Sequence, residues 1–347
     1  MRTQSRCRRC HHHLRVLLLL IGVTTGACTT REPARDTAPP ETASPRTEQR
    51  AIGELVDVRG APIDIASLEG RIAFSSATDD VYVIDADGSG LRRVTTSEHQ
   101  DFDPTWSDDG RRLAYRHQTG DHVTTEIFVI DVDGSHPRNL TRTDGVADWG
   151  PDWSTDGSRI AWNSDRDDPG TLHGFTMRPD GSGVELITNE VWVEYPAWSP
   201  DGSKIAFMAQ TPEGTENYEI FVVNDDGTGL RRLTESPGAD GWPAWSPDGR
   251  SIVFSSIRDD CSVSDTPDCL TSGDIGPYHT IYVMSAEGSD QRRLSRTFGQ
   301  FSAWSPDGEY IVFAPFLNVI RPDGTGLVRI PVEGVPGEPE MPDWTAA

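Results

Sequence analysis

The sequence is poor in lysine and has no long hydrophobic stretch. Lys204 is its only lysine against thirty arginines, and the formal net charge of the 347 residues is −24. Binding to phosphates depends on clusters of lysine and arginine, so nucleic acid and anionic lipid head groups are poor partners. The apolar run of residues 16–23 is too short to span a bilayer as a helix of the mature protein. A basic peptide or a cation suits such an acidic surface better.

Sequence patterns of known catalytic and metal sites are also missing. There is no G-x-S-x-G elbow, no H-E-x-x-H motif and no P-loop. The histidines of the predicted exported chain are scattered singly, at His99, His117, His122, His136, His173 and His279. The D-x-D-G turns lack the long acidic loop and distant glutamate of an EF-hand. The sequence therefore predicts no catalytic residues, no cofactor and no metal site, although paired carboxylates around a channel could in principle cleave a glycosidic bond.

The N-terminal segment has the organisation of an export signal. Five arginines precede the apolar run, and the small residues Gly26 and Ala27 come directly before Cys28. This ending resembles the lipobox of bacterial lipoproteins, in which the cysteine is lipidated, although Thr25 stands where leucine is usual. We therefore predict a signal peptide over residues 1–27 and lipidation at Cys28. An ordinary cleaved signal with an unmodified cysteine is the alternative.

The segment that follows the signal, residues 28–50, is rich in proline, threonine, glutamate and arginine and has almost nothing to bury. Such a composition predicts a disordered linker. It would hold a folded body, predicted over residues 51–347, away from the membrane to which Cys28 is attached. Without the signal arginines the exported part carries a formal charge of −29. We expect an exported, lipid-anchored protein of the bacterial cell envelope.

One stretch, Tyr195 to Phe207 with the sequence YPAWSPDGSKIAF, recurs along the rest of the chain, whole or in part. Its apolar start ends in Trp198, and the following S-P-D-G has the proline, aspartate and glycine of a tight turn. Residues 204–207 then alternate between polar and apolar, as a strand does. A third strand over residues 219–223, a second turn and a fourth strand over residues 230–234 complete the unit.

Three parts of this unit occur six times each. The tryptophan recurs with spacings of 47, 45, 47, 59 and 40 residues, at Trp106, Trp153, Trp198, Trp245, Trp304 and Trp344. The second strand begins at Ile72, Leu113, Ile160, Ile205, Ile252 and Ile311. The second turn recurs at Gly88, Gly134, Gly181, Gly227, Gly288 and Gly324. A period in the forties with four strands per unit indicates a propeller blade. We therefore predict an all-β fold, a six-bladed β-propeller of four-stranded antiparallel blades.

The two ends of the repeat region complement each other. The repeats begin at Arg71 without a preceding P-x-W, whereas the chain ends on Pro342-Asp343-Trp344 with no following turn and strand. We therefore predict that the C-terminal strand becomes the innermost strand of the first blade and closes the ring, with each tryptophan wedged between neighbouring blades. The alternative is that Ile63-Asp64-Ile65, which loosely imitates the same strand, fills this place.

The fifth repeat is the longest, and its excess residues carry the last two cysteines, Cys261 and Cys269. In an oxidising compartment, a pair so close in sequence predicts a disulfide that pins a long loop. A metal site is the alternative, but two thiols are too few ligands and His279 is the only histidine nearby.

The six copies of P-x-W-S-x-D-G-x-x-I-A-F resemble the TolB family of WD-repeat-like propellers over Arg71 to Trp344. The W-S-x-D-G core of this motif begins at Trp106, Trp153, Trp198, Trp245 and Trp304. The resemblance implies a six-bladed propeller of the cell envelope that binds protein partners and has no catalytic activity of its own.

Two features differ from that family. TolB carries a separate α/β domain before its propeller, and residues 29–70 are too few and too polar at their start to form one. TolB is also a soluble periplasmic protein, whereas this chain has a lipoprotein-like signal. Similar propellers occur beside the catalytic domain of prolyl oligopeptidases and in polysaccharide lyases, so the fold alone does not decide the function.

The loops that enter the innermost strands end in acidic and aromatic residues in most blades. A propeller usually binds at the mouth of its central channel, which these loops surround. An acidic rim with exposed rings suits an arginine or lysine side chain of a partner, or a sugar stacked on tryptophan. The alternative is that the rings pack between blades and the acids are solvated. The ligand-binding residues that we predict are Asp103, Asp148, Trp149, Trp192, Glu194, Tyr195, Asp240, Trp242 and Phe301.

These observations together favour a monomeric, non-enzymatic binding module of the cell envelope. We expect it to engage a protein or peptide, a basic one being favoured, at the mouth of the central channel. A carbohydrate-binding or carbohydrate-cleaving propeller and a structural spacer in an envelope complex are the alternatives. A carboxylate pair in the channel with a metal or a strongly raised pKa would favour the carbohydrate alternative.

Overall fold

Six four-stranded antiparallel sheets form a closed ring in the computed structural model, which confirms the predicted six-bladed propeller. The structure describes residues 60–76, 80–119, 124–211, 217–260 and 279–346. The predicted signal peptide and linker, Cys28, Cys261 and Cys269 lie outside these ranges. Within them the structure has one short 3-10 helix, Ile65–Ser67, and no helix long and apolar enough to cross a membrane.

Each blade consists of four strands. In the described parts of the chain they are β1 (Arg71–Ser76), β2 (Val81–Asp85), β3 (Arg92–Arg93), β4 (Asp101–Trp106), β5 (Arg112–Gln118), β6 (Thr125–Asp131), β7 (Arg138–Asn139), β8 (Asp148–Trp153), β9 (Ile160–Ser164), β10 (His173–Met177), β11 (Glu185–Thr188), β12 (Glu194–Trp198), β13 (Lys204–Gln210), β14 (Tyr218–Asn224), β15 (Arg231–Arg232), β16 (Asp240–Trp245), β17 (Ser251–Ser256), β18 (Thr280–Ser285), β19 (Arg292–Arg293), β20 (Gln300–Trp304), β21 (Ile311–Ala314), β22 (Asn318–Ile320), β23 (Val328–Arg329) and β24 (Pro339–Thr345). From the channel outwards, blade 1 is β24-β1-β2-β3, and blades 2 to 6 are β4–β7, β8–β11, β12–β15, β16–β19 and β20–β23.

The second strand of each blade is buried on both faces along most of its length. In β1, for example, Ile72 and Phe74 have no exposed surface. In β13, Ile205, Ala206 and Phe207 are all fully buried, so the alternation predicted over residues 204–207 does not hold. The glycine of the second turn has a φ between 81° and 90° in all six blades, a backbone conformation that favours glycine. At Gly227 an added Cβ would also lie 2.3 Å from the carbonyl oxygen of Ile187 in the preceding blade. All six turns therefore depend on glycine for their backbone conformation, and the turn at Gly227 also depends on it for space.

The hydrophobic core is divided into six clusters, each shared by two adjacent blades. The cluster between blades 2 and 3, for example, joins Ile127 to Trp153 and Trp162. Five of the six blade tryptophans are 5–8% exposed. The indole of Trp304 donates to the carbonyl oxygen of Ala244 in the preceding blade, at 3.2 Å, and those of Trp106 and Trp245 make the same kind of bond. The predicted wedging of the tryptophans between blades is therefore confirmed.

The ring closes through the C-terminal strand, as predicted. β24 pairs antiparallel with β1, and Trp344 lies opposite Ile72. The Trp344 indole also donates to the carbonyl oxygen of Glu69 at 2.9 Å. The competing segment at residues 63–65 is not a strand, because Asp64 caps the short 3-10 helix there. The alternative closure is therefore wrong.

Removing the closing strand should abolish the cooperative unfolding of the propeller. A chain that ends at Glu340 lacks the tryptophan and most of the pairing with β1, and Trp344→Ala alone should lower the free energy of unfolding by roughly 3–5 kcal/mol. Urea denaturation followed by tryptophan fluorescence measures both effects. The matched control is Leu186→Ala on the outer strand β11, where the side chain is 45% exposed. Unchanged unfolding of the truncated chain would contradict ring closure as the stabilising contact.

Candidate functional site

The six inner strands share one irregularity, a β-bulge just before the blade tryptophan. The pairing with the second strand shifts register there in every blade. The residue three positions before the tryptophan has a φ of 49° to 55°. These bulge residues are Asp103, Gly150, Tyr195, Trp242, Phe301 and Met341. Five are not glycine, and each then costs on the order of 1–3 kcal/mol in backbone strain. Such strain clusters at binding sites, and a bulge changes the direction of its side chain.

The bulge residues line one cavity in the central channel. Each contributes together with the two residues that follow it, and the cavity has a volume of about 140 Å³. Four of the predicted ligand-binding residues therefore meet in one place, and they are Asp103, Tyr195, Trp242 and Phe301. Gly150 and Met341, which are not among the predicted ligand-binding residues, complete the ring of bulge residues.

Aromatic rings form the wall of the cavity on blades 4, 5 and 6. The ring of Trp242 lies 6.1 Å from that of Tyr195 and 4.7 Å from that of Phe301, both edge to face. The imidazole of His279 lies edge to face with the Trp242 ring, with 5.5 Å between the ring centroids. Burial lowers the pKa of His279 to about 4, so this imidazole is neutral at physiological pH. The rings are thus held by contacts with one another.

An arginine of the chain occupies the mouth on blade 2. Arg116 forms an ion pair with Asp103 at 3.2 Å and lies over the rings of Phe102 (4.7 Å) and Trp149 (5.4 Å). Burial raises the pKa of Asp103, and the charge of Arg116 opposes that rise. Trp149, a predicted ligand-binding residue, therefore already contacts a cation of its own chain.

Two other predicted residues, Asp148 and Asp240, are fully buried at the start of their inner strands. Asp148 accepts a hydrogen bond from the Trp162 indole at 3.1 Å and pairs with Arg166 at 3.2 Å. Asp240 pairs with Arg258, and burial raises its pKa to about 6. Each carboxylate therefore pairs with an arginine of its own blade, at a position two residues before the bulge residue.

Glu194 and Trp192 lie next to the cavity but do not line it. The Trp192 indole donates to Glu194 at 2.7 Å, and the hydroxyl of Tyr218 donates to the same oxygen at 3.1 Å. Burial raises the pKa of Glu194 to about 6, against the effect of these two bonds. This carboxylate sits directly before the bulge residue Tyr195.

The sequence reasoning missed two acids that do line the cavity, Asp152 and Asp343. Each stands in the middle of a P-x-W triplet, one residue before the blade tryptophan. Asp343 accepts a hydrogen bond from the backbone N–H of Trp106 at 2.8 Å, and Asp152 from that of Trp198 at 2.7 Å. Burial raises the pKa of Asp152 to about 7, to which the charge of Asp343 adds. Burial also raises the pKa of Asp343, to about 6.

A sequence signal for these acids existed. Strand alternation turns the residue before each tryptophan to the opposite face of the sheet from the tryptophan, towards the following blade, and at this position it also lines the cavity. Thr105, Asp152, Ala197, Ala244, Ala303 and Asp343 occupy this position. The cavity is therefore divided into an acidic half on blades 1 to 3 and an aromatic half on blades 4 to 6. Its acidic half is formed by Asp343, Asp103 and Asp152, and its aromatic half by Tyr195, Trp242 and Phe301.

The acids of the turns serve the fold. In the D-x-D-G turn of blade 1, Asp87 accepts a hydrogen bond from the backbone N–H of Ser89 at 2.8 Å. Among the described residues, no three histidine, cysteine, aspartate or glutamate side chains are grouped so that they could hold a metal ion. The candidate binding site is therefore the divided channel, in which one wall carries carboxylates and the other carries aromatic rings.

These features define the class of the protein as a six-bladed β-propeller with a lined central cavity. The family described as TolB beta propeller domain matches residues 191–262. The chain has the fold of TolB from Acinetobacter baumannii, with a TM-score of 0.63 and 20% identity over 83% of this chain and 68% of that one. It is also similar to a putative TolB from Agrobacterium tumefaciens, with a TM-score of 0.56 and 19% identity over 79% and 91% of the two chains.

An enzyme shares the same fold. An oligogalacturonate lyase in complex with manganese has a TM-score of 0.52 and 17% identity over 79% of this chain and 77% of that one. No curated protein matches the chain in sequence. The resemblance to TolB-family propellers is therefore confirmed for the repeats and the fold, and the ligand must be inferred from the site.

The buried acids predict that the propeller is more stable in mild acid than at alkaline pH. Because the folded pKa of Asp152 lies near 7, above the ordinary aspartate value, the folded state binds the proton more tightly than the unfolded chain. This stabilisation is complete below the ordinary pKa and is lost as the pH rises through about 7. Relative to Asp152→Asn, the wild type should lose on the order of 2 kcal/mol between pH 5 and pH 8.

Thermal or urea unfolding at several pH values measures this difference. Asp109→Asn is the matched control, because the Ser107 hydroxyl lowers the pKa of Asp109 and the sign of its contribution is opposite. Parallel pH profiles for the wild type and Asp152→Asn would contradict the prediction.

Proposed function

We propose that this protein is a non-enzymatic binding module of the bacterial cell envelope that engages a protein partner at the mouth of its channel. The observation that carries the proposal is the ring of strained bulge residues, which directs Asp103, Tyr195, Trp242, Phe301 and Met341 into one open cavity. The strain costs stability, and the six-fold repeat of the bulge keeps these side chains together. A partner segment that enters the channel would bury rings of the kind that dominate protein interfaces.

A carbohydrate-binding or carbohydrate-cleaving propeller is the second candidate. The raised pKa values of Asp152 and Asp343 favour it, because glycoside cleavage needs one protonated and one ionised carboxyl group. The fold shared with an oligogalacturonate lyase agrees with it. Against it, each of the two carboxylates accepts a backbone hydrogen bond from a blade tryptophan, which gives both acids a place in the fold. A structural spacer, the third candidate, leaves the strained cavity unexplained.

The double variant Trp149→Ala with Trp242→Ala should release the partner. Photo-crosslinking in intact envelopes followed by purification identifies candidate partners, and the affinity of each is then measured with purified proteins. We expect at least a tenfold weaker affinity, because two interface tryptophans are removed. Leu186→Ala, which removes an exposed apolar side chain far from the channel, is the matched control. A partner that binds the double variant and the wild type equally would contradict the channel as the binding site, and a spacer would be unaffected.

We also propose that the protein is attached to the membrane through Cys28 and that Cys261 and Cys269 form a disulfide. The support for both is the sequence alone, since all three cysteines lie outside the described residues. Cys28→Ser should move the protein from the membrane fraction to the soluble fraction and should abolish its incorporation of labelled palmitate. The variant Cys261→Ser is a control that leaves the anchor intact. Membrane association that survives Cys28→Ser would contradict lipidation.

A further inference from the structure

The cavity is lined by acids and by no base. Of its described lining residues, Asp103, Asp152 and Asp343 can carry a negative charge, and none is lysine, arginine or histidine. Arg116 is paired with one of these acids, Asp103. Glu340 adds further negative charge at the same mouth, where burial and the charges of Glu338 and Asp103 raise its pKa to about 7. The electrostatic potential in the channel therefore favours a cation.

The chain itself shows how this surface holds a guanidinium group. Arg116 is only 7% exposed. It is held between two rings and against one carboxylate, at the distances given above. The cavity presents the same two components on opposite walls, with Trp242 on the aromatic half and the carboxylates of Asp152 and Asp343 on the acidic half. A planar cation between these halves gains ring contact on one side and ion pairing on the other.

One polar group of the aromatic half lacks a partner. The side chain of Ser302 lines the cavity, is 7% exposed, and its hydroxyl has no hydrogen-bond partner in the described structure. A buried hydroxyl without a partner is unfavourable. A bound N–H donor would satisfy it, since a hydroxyl oxygen can accept a hydrogen bond.

The size of the cavity limits what can enter. Its volume of about 140 Å³ is close to that of an engineered protein cavity of about 150 Å³ that binds benzene. One flat side-chain head group fits such a space, whereas a folded segment does not.

We propose that the cavity receives the guanidinium group of an arginine side chain from an extended segment of the partner protein. This inference rests on the proposed function and specifies the chemistry of the guest. The head group lies against Trp242, and its N–H groups reach the carboxylates of the acidic half. Arginine suits this site better than lysine, because its planar group both stacks on a ring and donates to two acceptors at once.

Binding of this cation is coupled to proton release. Near neutral pH the channel acids are partly protonated, because burial raises the pKa of Asp152 and of Asp343, and the charge of Asp343 raises that of Asp152 further. A guanidinium group favours the ionised form of each carboxylate that it contacts. Arg116 and Asp103 stay paired throughout, so the protons come from Asp152, Asp343 and Glu340.

The test uses the purified protein and the peptide acetyl-Gly-Ser-Gly-Arg-Gly-Ser-Gly-amide, with citrulline in place of arginine as the matched neutral probe. NMR titration follows the indole N–H signal of Trp242, which the variant Trp242→Phe assigns. We expect the arginine peptide to bind at least tenfold more tightly than the citrulline peptide. Calorimetry at pH 6.5 in two buffers of different ionisation enthalpy should show proton release for the arginine peptide only.

Variants separate the acidic half from general effects of charge. Asp152→Asn and Asp343→Asn should each weaken binding of the arginine peptide about tenfold and reduce proton release, and Asp109→Asn in an exposed turn should change neither. Melting temperatures verify that each variant is folded. Equal affinity for arginine and citrulline, or no binding of the arginine peptide, overturns the proposal. Perturbation of Trp242 by trigalacturonate in place of the peptide overturns it in favour of the carbohydrate candidate.

The experiments distinguish failure of the arginine proposal from failure of the proposed function. A partner that is lost in the Trp149→Ala, Trp242→Ala double variant, together with no binding of the arginine peptide, leaves the binding module in place with a guest of other chemistry. A partner that binds the double variant normally removes the channel as the site altogether.

Discussion

Packing between adjacent blades is the interaction on which the whole structure depends. In the described part of the chain, every hydrophobic cluster takes residues from two neighbouring blades, so none of them is the core of a single blade. If the interface between the last and the first blade were not packed like the others, each of these two blades would expose one apolar face. The chain avoids this by dividing the first blade between its two ends, so that β24 and β1 pair by backbone hydrogen bonds. The first blade therefore cannot be complete until the C-terminal strand has paired with β1, so the blade forms and the ring closes together.

The channel follows from the same packing. Blade tryptophans fill the space between neighbouring sheets, and the bulge before each one turns the preceding side chains towards the axis. A single strained residue such as Phe301, with a φ of 51°, would relax if its surroundings allowed it. Six equivalent strands, each fixed by two interfaces, hold the strain in place. The rigidity of the ring is therefore what permits a preorganised cavity at its centre.

The repeats made the fold predictable, because turn chemistry, strand alternation and the tryptophan period all agreed on six blades. The closure was predictable because the two ends of the repeat region each lacked what the other supplied. The site was only partly predictable. A bulge changes which side chains face the channel, because it shifts the strand by one residue. The position of a bulge could not be recognised from the sequence. Asp148 and Asp240 were therefore grouped with Asp103 as rim acids, although their carboxylates are buried against arginines. The middle position of P-x-W, which carries Asp152, lies after the bulge in regular pairing, and it was overlooked because the motif was interpreted through its tryptophan alone.

The chemistry of that middle position argues that the acids are there to bind. Blades 4, 5 and 6 have alanine where blades 1 and 3 have aspartate, so the propeller does not require a carboxylate to hold the next blade. Burying a carboxylate is unfavourable, and two in one channel repel each other, as the raised pKa of Asp152 reflects. Asp152 and Asp343 each accept one backbone hydrogen bond from the following blade, but burial still opposes their ionisation, and both face a wall of rings across a small cavity. A cationic guest would offset that unfavourable burial, because it would pair with Asp152 and Asp343, whereas Arg116 pairs with Asp103.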